Sequence, residues 1–117
     1  MRALTRGVAS VMAMAGMAAI AQADTWQRLS GAEISATLTG ITLDYDARWQ
    51  DFRASGRTLY FSGADSWGFW DVRGDQYCSM WPPSDLWACY DIQRQGDVIR
   101  FIGAAGDVTD GRIRAAD

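Results

Sequence analysis

Tyr77-Cys78-Ser79-Met80-Trp81-Pro82-Pro83-Ser84-Asp85-Leu86-Trp87-Ala88-Cys89-Tyr90 reads as two short strands folded about a Pro-Pro-Ser-Asp turn. Aromatics and cysteines stand at nearly mirrored positions. Setting Cys78 opposite Cys89 also sets Tyr77 opposite Tyr90, Ser79 opposite Ala88 and Trp81 opposite Leu86. Opposed Cα atoms of an antiparallel pair lie ~4.5–5.5 Å apart, which a disulfide can span. The register predicts one face carrying Tyr77, Trp81, Leu86, Tyr90 and Ile92, and another carrying Cys78, Met80, Trp87 and Cys89. Both faces are partly apolar, as expected of strands covered by a core on one side and by a helix or a ligand on the other.

Working outward from the hairpin, the chain keeps a period of two. Strands are expected at Ile41 to Tyr45, Trp49 to Arg53, Thr58 to Phe61, Trp67 to Val72, Val98 to Ile102 and Val108 to Ile113. Gly- and Asp-containing turns separate them every eight to twelve residues, the mark of an all-β sandwich or barrel. Short links favour neighbours in sequence as neighbours in the sheet. Upstream, Asp24 to Gly40 is the one stretch that suggests a helix. Ser30 and Glu33 form an S-x-x-E capping box, Ile34 and Leu38 recur on one face, and Gly40 stops it. The predicted fold class is mainly β: an antiparallel up-and-down meander or small barrel, with one short N-terminal helix plugging or flanking it and one hairpin disulfide.

The N-terminus reads as an export signal. Arg2 and Arg6 precede a small apolar run over residues 7–20, and Ala21-Gln22-Ala23 is a small-x-small cleavage site. The run is shorter than the ~20 residues a spanning helix needs. No cysteine follows the cleavage site to carry a lipid. The expected organisation is a signal peptide over residues 1–23 and a single β domain over residues 24–117, periplasmic or secreted, with no membrane anchor. An oxidising compartment agrees with the pairing of the two cysteines, and a small domain gains from such a staple.

Composition excludes several function classes. The chain has no Lys and no His; all eleven bases are Arg, and thirteen of the fourteen acids are Asp. After cleavage, nine bases face fourteen acids, a net charge of −5. That balance disfavours nucleic acid as a partner, because phosphate backbones need a basic face. Without His or Lys there is no Ser-His-Asp set, no Schiff-base lysine and no His metal site. Most Asp residues stand in turns, where they serve turn chemistry. Asp44-Tyr45-Asp46 and Asp107 to Gly111 offer acidic pairs, but neither completes a calcium loop. No cofactor, no metal and no catalytic residue is expected.

Six tryptophans remain: Trp26, Trp49, Trp67, Trp70, Trp81 and Trp87. Large rings fill small cores, and they also stack on ligands. Trp67 and Trp70 differ in strand parity, as do Trp81 and Trp87, so one of each pair faces away from the main core. The candidate ligand-binding residues are Trp70, Tyr77, Trp81, Trp87 and Tyr90, with Cys78 and Cys89 as the disulfide.

"SWGFWDV" at residues 66–72, "YCSMW" at 77–81, "WACYDI" at 87–92 and Gly96 to Phe101 together resemble a family of small secreted alphaproteobacterial β-proteins grouped as a domain of unknown function. That resemblance implies an exported, disulfide-bonded meander and no activity. A more distant likeness is to periplasmic metalloprotease inhibitors, small β-barrels that insert a free N-terminal segment into a protease cleft. By that likeness Asp24-Thr25-Trp26-Gln27 would be the inserting segment. The expected function is a non-catalytic exported binding or interaction module, a monomer whose partner is an unknown small molecule or protein. The alternatives are an inhibitor acting through its N-terminus and, third, a carboxylate-based hydrolase with two facing Asp side chains.

Overall fold

The computed structural model describes residues 25–116. The signal-peptide reading of residues 1–23 lies outside the described residues. The chain forms β1 (Gln27–Arg28), α1 (Gly31–Leu38), β2 (Thr42–Asp44), β3 (Trp49–Phe52), β4 (Arg57–Phe61), β5 (Asp65–Arg73), β6 (Gln76–Met80), β7 (Trp87–Gln95), β8 (Val98–Ile102) and β9 (Val108–Ile113). Strands β2 to β9 pair antiparallel in chain order, except that β2 joins β9 and so closes the meander into an eight-stranded barrel. Closure removes the open edges of a free sheet. The two-residue β1 lies outside this ring and pairs with β7 at Gln27↔Arg94 and Arg28↔Gln93.

Strand alternation sorts the residues. Leu43, Phe52, Trp70, Tyr77, Ile92, Ile99 and Phe101 point inward and form the core with Ile34 and Leu38 of α1. The capping box is present: the Glu33 backbone N–H donates to Ser30 Oγ at 3.2 Å, and the Ser30 N–H donates to Glu33 Oε1 at 2.8 Å. Such a cap satisfies two of the first-turn donors that a helix leaves orphaned. Ile34 and Leu38 are fully buried. The helix N-terminus sits against the β5–β6 turn, where the Gly31 N–H donates to Asp75 Oδ1 at 2.7 Å. A Cβ on Gly31 would lie 2.1 Å from the Gly74 carbonyl oxygen, so only glycine permits that approach. The helix therefore closes the barrel end that carries the β3–β4, β5–β6 and β7–β8 turns.

The hairpin follows the expected register through Tyr77↔Tyr90, Cys78↔Cys89 and Ser79↔Ala88, and ends at Met80↔Trp87. Cys78 and Cys89 are joined in a disulfide with Cα atoms 4.0 Å apart. The expected Trp81–Leu86 pair is not part of the ladder. Pro82 and Pro83 have no N–H to donate, so β6 stops at Met80 and Leu86 is left in the connecting loop, 77% exposed. The helix is also shorter than the stretch from Asp24 to Gly40: it starts at Gly31, and the residues before Ser30 are tied to β7 as β1.

Candidate functional site

At the opposite end of the barrel, bearing the β2–β3, β4–β5, β6–β7 and β8–β9 connections, no helix of the described residues lies across the opening. A cavity of about 370 Å³ occupies this end. All four tyrosines of the chain line it: Tyr45, Tyr60, Tyr77 and Tyr90. Phe101 and Trp81 complete its aromatic wall, Gln50 and Ser79 are its buried polar groups, and Arg48, Ser66 and Thr109 reach solvent at its mouth. The volume would hold about twelve water molecules at ~30 Å³ each, at the lower end of the range for small-molecule sites.

Strand parity places the polar residues of this interior. Gln50 shares the inward face of β3 with Phe52, Thr58 shares that of β4 with Tyr60, and Ser79 lies between inward Tyr77 and the Trp81 that follows β6. These polar side chains stand where an apolar residue would fill a core, and each finds a partner: Gln50 with Thr58, and Ser79 with Trp81. The Tyr45 hydroxyl donates to Gln50 Oε1 at 2.9 Å. Gln50 Nε2 donates to Thr58 Oγ1 at 2.9 Å and to the Tyr77 hydroxyl at 3.1 Å. Thr58 Oγ1 in turn donates to the Asp51 carbonyl at 2.6 Å. A buried amide costs free energy unless it is hydrogen-bonded, and a fully connected network rigidifies the interior.

The rings pack mostly edge to face or tilted. Tyr77 meets Phe101 at 5.2 Å between centroids with an interplanar angle of 77°, and Tyr60 meets Trp81 at 6.1 Å and 70°. Trp81 Nε1 donates to Ser79 Oγ at 3.2 Å. Its indole lies directly on the β5 backbone at Gly68, where a Cβ would come within 2.5 Å of the ring. Gly68 is thus what lets Trp81 form one wall of the cavity.

Burial pushes the Tyr77 phenol up to about 12, against hydrogen bonds from Ser79 and Gln50 that favour the ionised form. Burial also raises Tyr45 strongly, with the phenols of Tyr77 and Tyr60 adding to the effect and Arg48 opposing it. Both are neutral at physiological pH, so they serve as hydrogen-bonding groups and not as bases. Among the described residues no carboxylate lines the cavity.

Of the five residues singled out from the sequence, Tyr77, Trp81 and Tyr90 come together here. Trp70 and Trp87 do not. Trp70 is buried toward the helix end, edge-on to Phe52 at 5.7 Å, stacked with Tyr77 at 6.3 Å, with Nε1 donating to the Arg53 carbonyl at 2.9 Å. It is a core ring behind the cavity. Trp87 is half-buried on the outer face, under the Arg73 guanidinium at 4.1 Å. Sequence reasoning missed Tyr45, Arg48, Gln50, Tyr60, Ser79 and Phe101. The available signal was parity: a polar residue on the inward face of a strand, next to large apolar ones.

The segment expected to be free in an inhibitor is held down. Gln27 and Arg28 pair with β7, and Trp26 lies 3.9 Å beneath the Arg100 guanidinium. Among the described residues no helix is long and apolar enough to cross a membrane. The disulfide is compatible with an extracytoplasmic location. No family model, no curated protein and no solved structure matches the chain.

Proposed function

We propose that this protein is a non-catalytic, exported binding module that takes one small molecule into the open end of its barrel. The observation that carries this reading is the cavity itself. Aromatic walls, a hydrogen-bonded polar floor and an exposed rim form one connected site on a closed, disulfide-stapled scaffold. Small-molecule sites combine those features: apolar surface for affinity and a few placed polar groups for orientation. A rigid barrel would hold the site preformed, so little ordering free energy opposes binding. The likeness to small secreted β-proteins belongs to the same proposal, since an exported domain without catalytic groups acts by holding something.

Native mass spectrometry of the protein recovered from its own host's periplasm tests this. An added mass of small-molecule size, lost when Ser79 is replaced by Phe to fill the cavity, is the expected result. A bare chain from every preparation, together with no thermal stabilisation by any compound of an aromatic library, would overturn it.

A further inference from the structure

Resting on the binding-module reading, we infer that the ligand is a planar aromatic monoanion of carboxylate type, its ring among the tyrosines and its anionic group at Arg48. Three observations lead there. First, among the described residues Arg48 carries the one formal charge in the cavity lining. A lone cation at the mouth of a neutral cavity is notable in a chain of net charge −3.

Second, Arg48 differs from the other arginines of the described residues. Arg28, Arg53, Arg73, Arg100, Arg112 and Arg114 all pair with aspartates. Arg57 lies over Trp67 at 4.5 Å, and Arg94 donates to the Gly96 carbonyl at 2.7 Å. Among the described residues the Arg48 guanidinium has no carboxylate, ring or carbonyl partner. Its backbone carbonyl accepts from the Tyr45 N–H at 2.9 Å, which anchors the turn while the side chain stays exposed. A guanidinium fork matches a carboxylate in two parallel hydrogen bonds.

Third, the cavity has a surplus of donors. Both Gln50 N–H groups are used within the network, and the Ser79 hydroxyl already accepts from Trp81. The Tyr60 and Tyr90 hydroxyls line the cavity and make no hydrogen bond to any described residue. Two phenol O–H groups and a guanidinium call for an acceptor-rich ligand. The surrounding rings present faces and edges to a flat aromatic body, and the volume suits one or two fused rings.

Isothermal titration with three probes of one ring system tests the assignment: 2-naphthoate, the neutral naphthalene-2-carboxamide, and the cationic 2-naphthylmethylamine. At low salt, 2-naphthoate is expected to bind about tenfold more tightly than the carboxamide, a difference of ~1.4 kcal/mol, and the amine most weakly. Arg48→Gln should bring 2-naphthoate to within about twofold of the carboxamide. Arg112→Gln, at the helix end, should change neither. Equal affinity for naphthoate and carboxamide in the unmodified protein, or a naphthoate preference that survives Arg48→Gln, overturns the anion assignment while leaving the cavity as a binding site. Failure of all three probes to bind overturns the aromatic-anion assignment, whereas the binding-module reading falls only on the bare chain and the unresponsive aromatic library. Circular dichroism of each variant separates lost binding from lost fold.

Discussion

Gln50 is the residue on which the interior turns. Its amide holds Tyr45, Thr58 and Tyr77 at once and is 6% exposed. Gln50→Leu would keep the volume but leave three buried hydroxyls short of a partner, and an unsatisfied buried group costs ~1–3 kcal/mol. The expected loss is about 3 kcal/mol in urea unfolding; a loss under about 1 kcal/mol would mean that the network relaxes onto other partners. The tyrosines make stability sensitive to alkali. Because burial raises the folded pKa of Tyr77 to about 12, above its ordinary 10.0, the folded state keeps the proton longer than the unfolded chain does. That stabilisation is therefore intact below pH ~10 and is lost as pH rises toward ~12, amounting to about 3 kcal/mol at the upper end. Chemical unfolding at a series of alkaline pH values should show the decline, and Tyr77→Phe should make it shallower while leaving the share due to buried Tyr45; an equally steep decline in the variant would assign the effect elsewhere.

At the scale of elements, the β6–β7 hairpin is decided by the disulfide. Cys78 is fully buried and lies across from Cys89 in the ladder, eleven residues away in sequence. Closing so small a loop removes about 3 kcal/mol of unfolded-chain entropy. Replacing both cysteines by Ser should lower the melting temperature by roughly 12–24 °C, at ~4–8 °C per kcal/mol for a domain this small. An unchanged melting temperature would show that the hairpin is held by its aromatic pairs alone. The capping box and the inward stripe of Ile34 and Leu38 belong to the same scale, and both were visible in the sequence because their partners lie within one helical turn. The Trp81–Leu86 pair failed at this scale too, since local alternation could not show where two prolines would end the ladder.

At the scale of the whole molecule, the barrel has two unlike ends. Helix α1 closes one, and β1 extends beside it along β7. Trimming the chain through Arg28 removes β1 and the Trp26–Arg100 stack but no residue of the cavity. The expected result is faster amide exchange at Arg94, whose N–H faces β1, with unchanged binding of the naphthoate probe. Unchanged exchange would show that β1 is not paired in solution, and would return the N-terminal segment to the inhibitor reading. The outer surface is laced by exposed Arg–Asp pairs and Arg–Trp stacks. Exposed pairs contribute little individually, so the closed ladder and the filled interior, not surface charge, hold the molecule together.

Periodicity, turn residues, the capping box and the mirrored cysteines determined the strands, the helix and the disulfide from sequence alone, because each rests on partners that are near in the chain or set by a two-residue alternation. Parity also separated Trp67 from Trp70 and Trp81 from Trp87, which occupy opposite faces as it required. Only the tertiary structure decided which of those rings meet a cavity. The joining of β2 to β9 brings Tyr45 and Phe101 to within 6.4 Å across strands far apart in sequence. The packing of α1 against the β5–β6 turn leaves Arg48 and the tyrosines at the open end. A site built from side chains that converge across a closed barrel depends on shear and closure, and those are properties of the whole ring of strands that no single segment encodes.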